Sequence, residues 1–258
     1  MTTRREAILR EMGLTPIWKS KGDQIGRIGT GEAGESSASP VPPGDSLVDE
    51  ELAAQTPSVA REARIAKMDW PALKAAVPGC TACALHKSRT QTVFGVGDEN
   101  ANWLLVGEAP GAEEDQRGEP FVGQAGRLLD AMLTSIGLAR NTNVYIANVL
   151  KCRPPGNRNP EPGEVAQCSP HLLRQVGLIE PRLIVAMGRF AAQTLLATDA
   201  SIASLRGRLH AYHGVPLIVT YHPAYLLRTP ADKSKSWQDL LFAVRTMEGL
   251  QEAKPAPT

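Results

Sequence analysis

Four short apolar runs mark the chain, at residues 103–106, 144–149, 183–186 and 217–220. Apolar residues without alternation, over this length, are what a strand buried on both faces requires. Between the runs the apolar spacing widens to three and four, the period of a helix with one buried face, at residues 125–136, about 163–176 and 189–196. A last amphipathic stretch covers about 236–250. Upstream, "DWPALKAAV" predicts a short helix with Asp69 as N-cap and Pro71 in its first turn. Strand and helix in alternation predict a three-layer α/β/α fold: a central, mainly parallel four-stranded sheet with helices on both faces.

The pattern fades toward the N-terminus. Residues 14 to about 66 are poor in aromatics and rich in Gly, Ser, Pro, Ala and Glu, a composition that buries too little apolar surface to fold. We therefore expect three parts: a disordered arm or linker at 1–66, a folded domain at 67–252, and a flexible tail at 253–258. Within the arm, residues 3–12 predict a short helix with Ile8, Leu9 and Met12 on one face, and the apolar patch around Trp18 offers a site for a protein partner. "GTGEAG" at 29–34 fits the dinucleotide pattern G-x-G-x-x-G, but neither a strand before it nor a helix after it is indicated, so it is a chance match.

Charge changes this picture little. Lys and Arg number 28, Asp and Glu 27, and the net charge is +1, so any contact with nucleic acid must come from a local patch. "MTTRREAILREMG" lacks the apolar core of a secretory signal, and no apolar run is long enough to span a bilayer. The expectation is a soluble, cytoplasmic monomer without membrane contact.

Open parallel sheets build their sites at the carboxyl ends of the strands. Here those ends read "GEAPGAEEDQRGEPFVG", "NVLKCRPP", "MGRFAAQ" and "YHPAYLLR". One crevice could collect Glu108, Glu113, Glu114, Phe121, Asn148 and His222. Each alone has a plainer explanation: Asn148 as a strand-end amide, His222 as a turn residue before Pro223, Phe121 as core, the acidic run as a solvated turn. Their shared position at strand ends raises them together.

The chain has four cysteines: Cys80 and Cys83 in a C-x-x-C knuckle, then Cys152 and Cys168. In a reducing compartment they read first as metal ligands. Four thiolates suit a tetrahedral zinc or an iron–sulfur cluster, and a single knuckle with two distant partners leans toward a [4Fe-4S] cubane; unligated thiols are the third option. Because Cys152 follows Asn148 closely, a metal group there would staple the loop "RPPGNRNP" beside the pocket, with Arg153 and Arg158 placed to meet phosphate.

"GEAPGAEEDQRGEPFVGQAGRLLD", "NVLKCRPPGNRNPEP…C" and "HPAYLLR" resemble the family 4, iron–sulfur type of uracil-DNA glycosylase, from about Cys80 to Leu250 and with all four cysteines in order. The resemblance implies a base-excision repair enzyme that flips uracil out of DNA and hydrolyses its N-glycosidic bond, leaving an abasic site. It implies a [4Fe-4S] cluster on Cys80, Cys83, Cys152 and Cys168. Uracil-containing DNA, single- or double-stranded, is the implied partner, placing a bacterial protein at the nucleoid. Phe121 would stack on the base, the Asn148 amide would read its N3–H and O4, backbone at Gly107 and Glu108 would line the pocket, and His222 would stabilise negative charge on O2. Glu108 and Glu114 are the carboxylates for the sugar or water. The more familiar uracil glycosylases carry an Asp in the first motif where this chain has Glu108-Ala109, so the water-positioning role is open between the two. Leu226 and Leu227 could wedge into a base stack, and Lys151, Arg153, Arg158, Arg189 and Arg228 could meet phosphates. The alternative is an iron–sulfur DNA-binding or redox-sensing module with a vestigial pocket, which would bind DNA without releasing a base. A zinc hydrolase of another kind finds neither G-x-S-x-G nor H-E-x-x-H here.

Overall fold

The computed structural model describes residues 57–252. The expectations placed on 1–56 and 253–258, including the helix at 3–12, the Trp18 patch and the glycine pattern at 29–34, lie outside the described residues. The described chain begins with two helices, α1 (Pro57–Ala66) and α2 (Trp70–Ala76). Asp69 caps α2, its side chain accepting from the Ala72 N–H, and Pro71 occupies the first turn, where no amide hydrogen is missed. Helix α1 corrects the boundary of the arm. Its Ile65 is 2% exposed and packs with Leu73, Val77 and Phe94, so residues 57–66 carry structure despite a composition that predicts none. One buried face on ten residues is too little apolar content to stand out beside a linker.

A six-stranded sheet follows in the order β1-β3-β2-β4-β6-β5. Its centre is the predicted parallel set: β2 (Trp103–Gly107), β3 (Val144–Asn148), β4 (Leu183–Met187) and β6 (Val215–Thr220). Two antiparallel edges extend it, β1 (Val96–Gly97) beside β3 and β5 (His210–Tyr212) beside β6. Two or three residues with no apolar run give the sequence no signal for an edge that needs only one ladder.

The central strands are buried on both sides, and the side chains alternate between layers. Trp103 and Leu105 of β2 face a cluster with Leu129 and Leu133 from α4 (Gln124–Ser135) and with Ala243 and Met247 from α9 (Lys233–Glu252). Leu104 and Val106 face the other layer, with Leu172 and Val176 from α5 (Pro162–Ile179) and Ala191, Ala192 and Leu195 from α6 (Arg189–Leu196). The short helices α3 (Ala112–Arg117), α7 (Ile202–Leu205) and α8 (Pro223–Arg228) complete the domain.

Topology places the crevice. From β2 the chain moves to β3 on one side, and the next strand, β4, returns to the other side of β2. Loops leaving β2 and β4 thus diverge and leave a gap at the carboxyl end of the sheet. The parallel register sets Gly107 directly beside Asn148, and Met187 beside Thr220.

Candidate active site

A cleft of about 720 Å³ opens at those strand ends. Glu108, Glu114, Phe121, Asn148, Arg158, Arg189, His222 and Arg228 line it, although they come from all four central strands and their loops. Gly107 lies beneath. A Cβ there would stand 2.4 Å from Asn148 Oδ1 and 2.7 Å from Phe121 Cζ, so only glycine lets both side chains reach the floor of the cleft.

His222 is the N-cap of α8: its Nδ1 accepts from the Ala224 N–H at 3.1 Å. A nitrogen that accepts carries no proton, so the proton of the neutral ring sits on Nε2. Burial, with the Arg228 charge second, lowers the His222 pKa to about 4, so the ring is neutral at physiological pH. The ring stacks with Phe121 at 5.3 Å between centroids and 28° between planes. Gly188, after β4, makes room for it; a Cβ there would meet His222 Cβ at 2.9 Å.

Asn148 is 2% exposed, and its Oδ1 has no hydrogen-bond partner among the described residues. A buried acceptor left bare costs about 1–3 kcal/mol unless something arrives to donate to it. Beside it, burial raises the Glu108 carboxyl pKa, while the Arg189 charge opposes that rise. Glu114 is differently employed. Its carboxylate accepts from the Gly111 N–H at 3.1 Å and the Val122 N–H at 3.2 Å, bracing the turn on which Phe121 sits. Glu113, grouped with these residues from sequence, is exposed and does not line the cleft.

The four cysteines, all free thiols, line a second, small cavity together with Arg89, Lys151 and His171. Three sulfurs already have a donor: Cys80 from Arg61 Nη2 at 3.6 Å, Cys152 from Arg89 Nη1 at 3.2 Å, and Cys168 from the Lys151 backbone N–H at 3.2 Å. Burial raises the Cys152 thiol and pushes Cys168 up to about 12. Among the described residues, no group of three or more His, Cys, Asp or Glu is gathered closely enough to hold a metal ion as the side chains stand.

Two of the expected DNA contacts are corrected by burial. Lys151 is 1% exposed; its Nζ donates to the Asn148 carbonyl at 2.9 Å, inside the protein, and offers nothing to a phosphate. Leu226 is also 1% exposed and belongs to the packing of α8, whereas Leu227 is 39% exposed and free to act as a wedge. On the loop after Cys152, Arg153 Nε donates to Asn157 Oδ1 at 2.7 Å, and Arg158 forks onto both carboxylate oxygens of the buried Glu164. Tyr221, Tyr225 and Phe190 also line the cleft. Sequence alone did not single them out, because each sits one to three residues from a stronger signal in "MGRF" or "YHPAY". Arg61 and Arg89 reach the sulfurs from positions with no motif at all.

Comparison with known proteins identifies the family. A family model described as "Uracil DNA glycosylase superfamily" matches residues 94–241. A "Type-4 uracil-DNA glycosylase" of Archaeoglobus fulgidus is 48% identical over 162 residues, 60% of this chain and 81% of the relative. Proteins of the same description from Pyrobaculum aerophilum and Thermotoga maritima are 42% and 45% identical over 181 and 159 residues, covering 67% and 61% of this chain and 92% and 82% of theirs. With its α/β sheet and the match spanning all four central strands, the chain belongs to the uracil DNA glycosylase superfamily.

Proposed function

We propose that the protein removes uracil from DNA by hydrolysing the bond between the base and deoxyribose C1′. The observation that carries this reading is the bare Oδ1 of Asn148, set in one buried cleft with the Nε2–H face of His222 and the Phe121 ring. A base within a duplex cannot reach that depth, so it must be flipped out. Once there, uracil N3–H satisfies Asn148 Oδ1, and the amide NH₂ donates to O4. Cytosine presents an acceptor at N3 and a donor at the exocyclic position, the reverse at both atoms, and would leave the amide unpaired. Phe121 supplies the stacking surface.

As the C1′–N1 bond breaks, its electron pair goes to the base and negative charge gathers on O2. The neutral His222 ring donates its Nε2–H to that oxygen, stabilising the anion where it develops. Water attacks C1′ and loses a proton, which is taken up by the uracil anion, giving an abasic sugar and free uracil. Glu108 is the carboxylate we assign to the water or the positive sugar; Glu114, whose oxygens hold two backbone amides, braces the loop. Arg189, Arg228 and Leu227 are the surface contacts for phosphates and for the stack left open.

Several observations support a [4Fe-4S] cluster on Cys80, Cys83, Cys152 and Cys168. The four thiols line one small cavity, and four cysteine thiolates are a ligand set that suits such a cluster. N–H donors already point at three sulfurs, an arrangement that suits metal-bound thiolate. Lys151 and Arg89 provide positive charge beside a group that would be net negative. The cluster would contribute structural cross-linking, with the chemistry left to the cleft. Domain limits of about 57–252, a monomeric state and a cytoplasmic location, at the nucleoid for a bacterial protein, complete the proposal.

The test is incubation with a uracil-containing oligonucleotide followed by alkali, which cuts abasic sites, for wild type, His222→Ala and Asn148→Ala. Cutting by wild type that is lost in both variants supports the reading. No cutting by wild type with its iron intact overturns it in favour of a binding module.

A further inference from the structure

Phe121 is a bulky residue in a conformation such residues rarely adopt. Its φ is +56°, in the left-handed region, where a side chain persists only if its surroundings hold it. The stack with His222 and the contact over Gly107 depend on that conformation, because it sets where the ring points. What holds it is Arg140, which lies in the connection between α4 and β3, outside every motif and off the cleft wall. Its Nη1 donates to the Pro120 carbonyl and its Nη2 to the Phe121 carbonyl, both at 3.0 Å. Its Nε donates to Asp130 Oδ1 at 2.9 Å, which fixes the plane of the fork. Helix α4 closes the other side: a Cβ on Gly126 would stand 1.7 Å from the Phe121 carbonyl oxygen.

We propose that Arg140 is a positioning residue for base recognition: its guanidinium clamps two successive carbonyls and so fixes the Phe121 ring as the surface on which the flipped base stacks. This rests on the glycosylase reading above. Two parallel N–H donors in one rigid plane are needed, which lysine cannot supply. Because a stacking ring touches the base before and during bond cleavage alike, its misplacement weakens both states together and appears mainly in KM.

The experiment measures kcat and KM for uracil release, and inhibition by free uracil, in Arg140→Ala, Arg140→Lys, Phe121→Ala and Phe121→Ala/Arg140→Ala. Expected for Arg140→Ala is a rise in KM of about tenfold, within the range that losing one base–aromatic stack produces, a matching weakening of uracil inhibition, and a change in kcat of less than about threefold. Added guanidinium should partly restore KM, and Arg140→Lys should lie between. In the Phe121→Ala background, removing Arg140 should raise KM no further. Unchanged KM in Arg140→Lys and Arg140→Ala, or full additivity with Phe121→Ala, would overturn the inference while wild-type turnover leaves the glycosylase reading standing. If Arg140→Ala does not fold, Arg140→Lys, alone and combined with Phe121→Ala, decides by the same criteria. No uracil release by wild type would sink both.

Discussion

Two cavities hang from the same strand, and they are built on opposite terms. Asn148 ends β3 in the large cleft; Cys152, four residues on, faces the small thiol cavity. The cleft holds a bare acceptor and a neutral histidine with its donor face free, so its polar groups are completed by a visitor. In the thiol cavity, internal donors already reach three of the four sulfurs, and among the described residues the Nδ1 of the buried His171 is the side-chain nitrogen there left without a partner. Lys151 joins the two, its backbone amide bonded to Cys168 and its ammonium to the Asn148 carbonyl. One cavity is organised for exchange with solvent, the other for permanence. A lesion in the first should cost turnover without stability, and a lesion in the second should cost stability first.

The largest separation is expected from His222→Ala. Loss of the donor to O2 should lower kcat by about 10²–10³, with iron content and Tm close to wild type, read by single-turnover kinetics and calorimetry. A comparable fall in Tm would erase the distinction between the cavities. Cys152→Ala should do the reverse: iron lost on metal analysis, visible absorbance gone, Tm lowered, and the 153–158 loop opened to proteolysis. Retained iron with unchanged Tm would count against the staple.

Gly107→Ala tests the close packing of the cleft floor. The added methyl meets Asn148 Oδ1 and Phe121, neither of which has a flexible retreat, so kcat/KM should fall roughly tenfold or more, by analogy with the loss that small misplacements cause in catalytic sites, while iron stays bound. The smallest effect concerns pH. Burial raises the Glu108 carboxyl and Arg189 opposes it, so Arg189→Met removes the lowering influence and Glu108 should hold its proton to higher pH. The acid limb of the single-turnover rate, measured at saturating enzyme to set DNA affinity aside, should move upward in pH. A limb that stays put would transfer the water-positioning role away from Glu108.

Much of this architecture was readable because its signals are local. The four apolar runs became the four parallel strands, and 189–196 became α6 without adjustment, since burial on both faces and a 3.6-residue period leave direct marks. The strand-end motifs converged on one cleft because parallel topology sends every carboxyl end to the same edge. The misreadings have a common physical cause. Lys151 and Leu226 look from sequence like their neighbours Arg153 and Leu227, and only the direction of each side chain separates inside from outside. Helix α1 and strand β1 draw on partners distant in sequence, such as Phe94 and Ile146, while β5, only three residues long, pairs with β6 across the two-residue turn His213–Gly214 and is too short to leave a pattern.

The sequence by itself determined the chemistry available: four thiols, an amide, an imidazole and two carboxylates at strand ends, and the alternating layers that hold them. Tertiary structure decided which of those groups are spent and which are free. Glu114 is committed to backbone amides, Lys151 to an internal carbonyl, and Arg158 to Glu164, while Asn148 Oδ1 is left bare. Residue identity fixes a group's donors and acceptors, but whether they are already satisfied depends on partners brought together only when the chain folds.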